Sequence, residues 1–342
     1  MLSTMVKYRK VPKLLDRSAM LEMLLHEEYG YLPPAPDSIS YTSETMVKNF
    51  CASKATFDKI ELTCKMGDKS FTFPVYCVIP AGEGKYPFFV HINFRDDVPD
   101  RYMPTEELVD NGFAVLSFCY KDVTSDDGDF TDGLAGVLYE DGKRGPTDAG
   151  KIAMWAWAAH RVLDLAENFE ALDMTRAIVC GHSRLGKTAL LAGATDERVF
   201  VAHSNDSGCS GAAITRDKDG EKVSDITTRF PYWFCENYYK YAGNEQAMPF
   251  DQHFLIACNA PHCVSVASAK EDVWADPVSE MLGCFTAKDA WGEDGFICED
   301  RLPQAGDEFF DGKIGYFLRA GSHYFSREDW LKLIKFINKK TN

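Results

Sequence analysis

A serine lies in a short turn between a predicted buried strand and a predicted helix. The turn reads Gly181-His182-Ser183-Arg184-Leu185-Gly186-Lys187, with an apolar run before it and small, helix-favouring residues after it. A strand, a Gly-x-Ser turn and a helix form a nucleophile elbow, which exposes a serine for attack on an acyl group. We therefore predict that Ser183 is a nucleophile. The alternative is an ordinary Ser-Gly turn, because Leu185 stands where a second glycine is usual and glycine follows one position later.

A nucleophilic serine needs a histidine base and an acid that orients the histidine. The segment 319–323 directly follows the apolar run 314–318 and ends in His323, the last of eight histidines, so His323 is the predicted base. The alternative for His323 is a surface position ahead of the C-terminal helix. Asp272 and Asp206 each lie just beyond a predicted strand, and either can supply the acid; Asp276 is a weaker candidate. The acid that is not used is expected to organise a loop.

The remaining candidate residues would stabilise negative charge or bind substrate. We expect the oxyanion to face the backbone amide of Arg184 and one amide near Asn93 or Phe94, after the predicted strand that ends at Ile92. The cationic side chains of Arg184 and Lys187 suit an oxyanion or a polar substrate, and arginine makes planar, bidentate contacts. The alternative is a charged helix surface. Trp233 and Trp274 lie in predicted loops, where an aromatic ring is free to stack on a substrate.

Continuous apolar runs separated by helical patterns predict a parallel sheet that is covered on both faces. The apolar runs are 88–92, 114–118, 177–180, 199–202, 264–267 and 314–318, and the helical patterns are 18–29, 150–166, 187–194 and 327–340. Two alternating runs, 56–64 and 70–78, predict an antiparallel pair at the sheet edge. Right-handed crossovers then form an α/β three-layer sandwich of the α/β-hydrolase type, with a mostly parallel central sheet. We expect residues 46–342 to form this single domain and residues 1–45 a helical extension packed on it.

Composition limits the possible partners. The 342 residues carry a formal net charge of −15, which disfavours nucleic acid and anionic membranes, and no apolar stretch is long enough to span a membrane. The first ten residues contain no apolar signal segment, so we expect a cytoplasmic protein without excluding secretion. The 11 cysteines include no Cys-x-x-Cys pair. The acidic run 125–133 lacks the terminal glutamate of an EF-hand, so we expect neither a metal nor another cofactor.

Several of these segments resemble one family. The elbow 181–187 is similar to the Gly-Cys-Ser-Arg-x-Gly-Lys elbow of glucuronoyl esterases, carbohydrate esterase family 15. Further similar segments are 206–213, which resembles the family's Glu-Ser-Gly-x-Gly-Gly, and 230–234, 249–253 and 274–277, which resemble its bacterial branch. The resemblance covers residues 85 to 335 approximately. It implies metal-independent cleavage of the ester between glucuronic acid on xylan and lignin alcohols.

The resemblance also implies roles for single residues. Ser183 would be the nucleophile, His323 the base and Arg184 the oxyanion stabiliser, while Lys187 and Trp274 would contact the sugar. One departure affects the acid, because Asp206 replaces the family's glutamate and is one methylene shorter. We therefore favour Asp272 as the acid over Asp206.

We expect a serine carboxylic-ester hydrolase that acts on a small-molecule or oligosaccharide carbohydrate ester through an acyl-enzyme. An esterase for acetylated xylan or acetyl sugars is the first alternative. A catalytically inactive hydrolase fold that serves as a binding module is the second, and the intact Ser183 and His323 count against it. The pattern does not define an oligomeric state.

Overall fold

The polypeptide is built around one mixed sheet of ten strands, and the computed structural model describes residues 1–341. The sheet order is β1-β2-β3-β5-β4-β6-β7-β8-β10-β9. The strands are β1 (Ser38–Asn49), β2 (Ala55–Met66), β3 (Lys69–Pro80), β4 (Tyr86–Asn93), β5 (Ala114–Cys119), β6 (Leu172–His182), β7 (Val199–Asn205), β8 (Cys263–Ala269), β9 (Glu308–Phe309) and β10 (Ile314–Arg319).

The parallel part of the sheet positions the candidate site. Strands β4, β5, β6, β7, β8 and β10 pair in parallel with their neighbours among themselves, so their carboxyl ends meet at one edge. These are the six strands predicted from continuous apolar runs, and every residue of β5, β8 and β10 is buried. The predicted antiparallel pair is also confirmed, as β2 and β3.

Helices cover both faces of the sheet and complete a three-layer α/β sandwich. The helices are α1 (Leu2–Tyr8), α2 (Arg17–Leu24), α3 (Phe50–Ser53, one turn), α4 (Thr105–Asp110), α5 (Tyr120–Val123), α6 (Gly133–Leu138), α7 (Lys151–Ala166), α8 (Arg184–Thr195), α9 (Val223–Arg229), α10 (His253–Ala257), α11 (Pro277–Ala287) and α12 (Arg327–Thr341). One large apolar core joins the sheet to α7, α8, α10 and α11, and a second joins it to α4 and α12. No helix of the described residues has the length and apolar character needed to cross a membrane.

The N-terminal segment differs from the predicted helical extension. Helix α2 continues into a π-helical turn, Leu25–Tyr29, and the chain then forms β1, which pairs antiparallel with β2. The boundary predicted between residues 45 and 46 therefore falls inside a strand of the sheet. Strand β1 was not predicted because nearly all of its residues are exposed and most are polar, so it shows no sustained apolar alternation.

Glu28, in the π-helical turn, is completely buried and offers a test of stability. Gln252 Nε2 donates hydrogen bonds to both of its carboxyl oxygens, at 3.1 and 3.0 Å. Burial raises the pKa of Glu28 to about 8, so folding favours the protonated carboxyl. This contribution to stability is complete below the ordinary pKa of 4.5 and is lost as the pH rises through 8.

We expect Glu28→Gln to remove this pH dependence, because the amide is neutral at every pH. The free energy of unfolding is measured in urea at pH 5 and pH 8. Between these pH values the wild type should lose more stability than Glu28→Gln, so the variant gains relative to the wild type at pH 8. Glu83→Gln, at an exposed position, is the matched control and should track the wild type. An identical pH dependence in Glu28→Gln and the wild type would show that Glu28 does not carry the effect.

Candidate active site

Ser183 occupies a strained turn between β6 and α8. Its backbone angles are φ 58° and ψ −125°, a region that non-glycine residues rarely adopt. Its amide donates to the carbonyl oxygen of Asn205 at 2.8 Å, and its own carbonyl accepts from the amide of Gly186 at 2.9 Å. Such strain persists only where the surroundings hold it in place, and it is common at functional sites.

Two glycines let the chain make this turn. A Cβ atom at Gly181 would lie 2.3 Å from the carbonyl oxygen of Leu185, so only glycine fits there. A Cβ atom at Gly186 would lie 3.0 Å from Ser204 Oγ, because α8 packs closely on β7 at this point. The close packing therefore favours a glycine three residues after the serine, and Leu185 is accommodated in the core.

His323 lies in the loop after β10 and pairs with Asp272. The distance from His323 Nδ1 to Asp272 Oδ2 is 2.6 Å, as expected for a working histidine–acid pair. The Asp272 side chain is only 5% exposed, and its second oxygen accepts from the amide of Ala275 at 3.2 Å. The pairing leaves His323 Nε2 without a protein partner among the described residues, and so available to a hydroxyl.

Asp206 lies beside this pair but holds the histidine loop instead of the imidazole. Its Oδ2 accepts from Arg319 Nη2 at 3.3 Å and from the amide of Tyr324 at 3.4 Å. Burial, reinforced by the nearby Glu280, raises the pKa of Asp206 well above its ordinary value. Asp206, Asp272 and His323 offer side-chain atoms that lie within 4.8 Å of one another, so both predicted acids reach the histidine's surroundings.

The third acid candidate, Asp276, has a structural task. It caps the N-terminus of α11, where its side chain accepts from the amide of Ser279 at 3.1 Å. This is the loop-organising use that was expected for an acid outside the pair with histidine.

Arg184 forms an ion pair, but not on the surface. Its Nη1 donates to Asp126 Oδ2, and the two side chains are 23% and 8% exposed. The prediction for Phe94 is wrong in one respect, because its amide already donates to Asn93 Oδ1 at 2.8 Å. Phe94 instead contributes its ring, whose centroid lies 5.8 Å from the Arg184 guanidinium.

Lys187 is buried, and a carboxylate missed by the sequence analysis lies near it. Its Nζ donates to the carbonyl oxygen of Ser207, and burial lowers its pKa, against the opposing effect of Glu221. Glu221 lies in the irregular segment between β7 and α9, where no motif marked it. Its amide donates to the carbonyl oxygen of Trp274 at 2.9 Å, which joins two loops over the site. A Cβ at Gly220 would lie 2.4 Å from that same oxygen, so glycine permits this approach.

The two predicted sugar platforms have different surroundings. Trp274 is 43% exposed, and the Arg229 guanidinium lies 5.2 Å from its ring centroid. Trp233 is only 3% exposed, since its ring stacks on Phe230 at a centroid distance of 3.9 Å. Trp274 thus keeps a free surface for a sugar, whereas the expectation that Trp233 is an open platform is corrected: Trp233 lines the cavity, but its ring is stacked on Phe230 and only 3% of the residue is exposed.

One cavity collects the candidate residues. It has a volume of about 350 Å³ and is lined by every predicted catalytic, oxyanion and substrate-binding residue except Phe94. Arg184, Lys187 and Arg229 bring three cationic side chains to this cavity, and Glu221 brings a carboxylate. The arrangement is suited to acyl transfer on a polar, hydroxyl-rich substrate.

Comparison with known proteins places the chain in a family. The family model described as "Glucuronyl esterase, fungi" matches residues 62–295, which is more than half of the chain. The chain belongs to the glucuronoyl esterase family. The carbohydrate esterase MZ0003 of an unknown prokaryotic organism is 37% identical over 236 residues, covering 68% of this chain and 54% of that protein. The 4-O-methyl-glucuronoyl methylesterase of Podospora anserina is 29% identical over 285 residues, covering 79% of this chain and 54% of that protein. The chain thus spans about half the length of these curated relatives.

Solved structures of glucuronoyl esterases share the fold. A glucuronoyl esterase from Solibacter usitatus superposes with a TM-score of 0.87 at 30% identity, covering 95% of this chain and 92% of that one. A promiscuous family 15 esterase from a marine bacterial metagenome superposes with a TM-score of 0.84 at 27% identity, covering 94% and 90%. The α/β-hydrolase architecture predicted from the sequence is therefore confirmed.

This member of the glucuronoyl esterase family has a histidine, His182, directly before the serine. The His182 ring centroid lies 4.3 Å from that of His323, and its Nδ1 lies 2.5 Å from Asn205 Oδ1. Burial lowers the pKa of His182 well below its ordinary value, so the ring is neutral. His182 therefore packs against the imidazole of His323 without placing a positive charge next to it.

Proposed function

We propose that this chain is a serine esterase that cleaves carbohydrate esters, and specifically esters of a glucuronic acid, through an acyl-enzyme. The observation that carries the proposal is the strained Ser183 at the mouth of the same cavity as the His323–Asp272 pair. A binding module would need neither the strain at Ser183 nor a buried acid on the histidine.

The proposed reaction has two halves. Ser183 Oγ attacks the ester carbonyl carbon while His323 Nε2 takes the hydroxyl proton, and Asp272 stabilises the imidazolium that forms. The tetrahedral intermediate then collapses, and His323 returns the proton to the departing alcohol. Water attacks the acyl-enzyme by the same route and releases the free acid, which regenerates Ser183.

Arg184 would stabilise the oxyanion. Its amide lies at the N-terminus of α8, where the helix dipole favours negative charge, and its guanidinium lines the cavity. A preorganised cation in a site with little water is most effective in the transition state, when charge develops on the carbonyl oxygen.

The rest of the cavity supports a sugar acid as the acyl part. Lys187 and Glu221 provide a donor and an acceptor for sugar hydroxyls, and Trp274 provides a partly exposed ring at the rim. Several relatives, among them those of Podospora anserina and Schizophyllum commune, are 4-O-methyl-glucuronoyl methylesterases. We extend that substrate class to this chain as part of the proposal.

Parallel kinetics on two esters test the substrate class. We expect kcat/KM for the benzyl ester of glucuronic acid to exceed that for an acetylated xylo-oligosaccharide by at least about 100-fold, or ~2.7 kcal/mol in transition-state binding. The polar groups described above are placed for an acyl sugar, and an acetyl group leaves them unpaired. Ser183→Ala provides the background rate. A preference for the acetylated oligosaccharide would replace the proposal by an acetyl-sugar esterase.

A further inference from the structure

Four hydrogen bonds converge on Asp126, an acidic residue that the proposed mechanism does not use. Arg184 Nη1 and Tyr120 Oη both donate to its Oδ2, the latter at 2.7 Å. Trp233 Nε1 donates to Oδ1 at 2.8 Å, and Tyr232 Oη donates to the backbone carbonyl at 3.0 Å. Both carboxylate oxygens are therefore engaged, and the side chain is nearly buried.

The loop that carries Asp126 is anchored to the protein interior. Lys151, at the start of α7, is completely buried, and its Nζ donates to Thr124 Oγ1 at 2.9 Å and to Ser125 Oγ at 3.1 Å. The same ammonium donates to the carbonyl oxygen of Asp129 at 2.5 Å. The buried ammonium of Lys151 thus holds this acidic loop in place and fixes Asp126 relative to α7.

Asp126 engages only one end of the Arg184 guanidinium. Asp126 contacts Nη1 alone; Nε is unpaired but enclosed, whereas Nη2 has no hydrogen-bond partner among the described residues and is not enclosed, so Nη2 is the donor that a substrate can reach. The guanidinium carbon lies 4.5 Å from the ring centroid of Trp233, and the same carboxylate holds that ring through its indole N–H. One carboxylate therefore controls both the arginine and the aromatic ring beside it.

We propose that Asp126 is a positioning residue that, by holding Nη1, directs the free Nη2 of the Arg184 guanidinium toward the reacting carbonyl oxygen. The inference rests on the role given to Arg184 under the proposed function. A long arginine side chain samples many rotamers, and an oxyanion contact gains most when the donor is already in place. The carboxylate of Asp126 partly neutralises the guanidinium and so weakens its attraction for an oxyanion. The fixed direction of the remaining donor outweighs that loss.

A double-mutant cycle tests the proposal, with Asp126→Asn, Arg184→Ala and the double variant measured on benzyl glucuronate and on 4-nitrophenyl acetate. We expect Arg184→Ala to lower kcat by about 100-fold on both esters, as loss of an oxyanion donor does. Asp126→Asn should lower kcat by about 10-fold or more, with KM within about threefold. The double variant should be no slower than Arg184→Ala within about threefold, because both changes remove one interaction.

The controls separate positioning from a general loss of stability. Asp196→Asn breaks an Arg–Asp pair of similar exposure, 30% and 10%, ahead of β7 and away from the cavity. It should leave kcat unchanged even if the melting temperature falls. If Asp126→Asn does not fold, Asp126→Glu keeps the charge, moves the oxygens by one methylene and should still lower kcat several-fold.

Each outcome bears on a different statement. If the kcat losses of the two single variants multiply in the double variant, the two residues act independently and the positioning role is overturned. The role is also overturned if Asp126→Asn keeps a kcat within twofold of the wild type while Arg184→Ala is slow. If Arg184→Ala itself keeps its kcat on both esters, the oxyanion role under the proposed function fails and the inference fails with it. Selective loss on benzyl glucuronate alone would make Asp126 a substrate-binding residue and would also contradict the inference.

Discussion

Ser183→Ala is expected to lower kcat by about 10⁴- to 10⁶-fold on every ester that the protein cleaves. The alanine removes the nucleophile and leaves the backbone at φ 58°, so the strain in the turn is unchanged. The melting temperature should therefore stay close to that of the wild type. Single-turnover and steady-state rates on an activated ester provide the measurement.

A matched control and a chemical label complete this test. Ser322→Ala changes an exposed serine next to His323 and should keep the wild-type kcat. A fluorophosphonate should label the wild type at Ser183, as located by mass spectrometry, and should not label Ser183→Ala. Near wild-type hydrolysis by Ser183→Ala would refute the assignment of the nucleophile.

Asp272→Asn is expected to lower kcat by about 10³- to 10⁴-fold, as the same change does in other triads. The amide cannot stabilise the imidazolium, and it can hold the His323 ring in the wrong tautomer. Asp206→Asn should cost far less in kcat, within about tenfold, because the 2.6 Å contact to His323 belongs to Asp272.

The two acids should also differ in their effect on stability. Asp206→Asn weakens the contact with Arg319, which is itself buried and also binds Asp329. Asp206 also accepts from the amide of Tyr324, so weakening its hydrogen bonds loosens the loop that carries His323, and the melting temperature should fall. A larger kcat loss in Asp206→Asn than in Asp272→Asn would reverse the roles of the two acids.

Local patterns were sufficient for most of the sheet and for the elbow. The central parts of strands β4 to β8 and β10 are buried on both faces, so each contains a run of mainly apolar residues that stands out in the sequence. The nucleophile elbow could be predicted despite Leu185, because a tight turn between a strand and a helix admits few residue types. Exposed β1 carried no such signal, since its polar residues face solvent and its pairing depends on β2.

Side chains with several possible uses could not be assigned from the chain alone. The sequence placed a serine, a late histidine and two acids after predicted strands, and the carboxyl ends of parallel strands meet at one edge of a sheet. Only the tertiary structure decided that Asp272 meets His323 while Asp206 meets Arg319, since that choice depends on side-chain reach. It also decided that the Phe94 amide is occupied and that the Trp233 ring is enclosed. Asp126 and Glu221 reach the site on irregular loops, where contacts between distant segments determine position and no short-range pattern reports it.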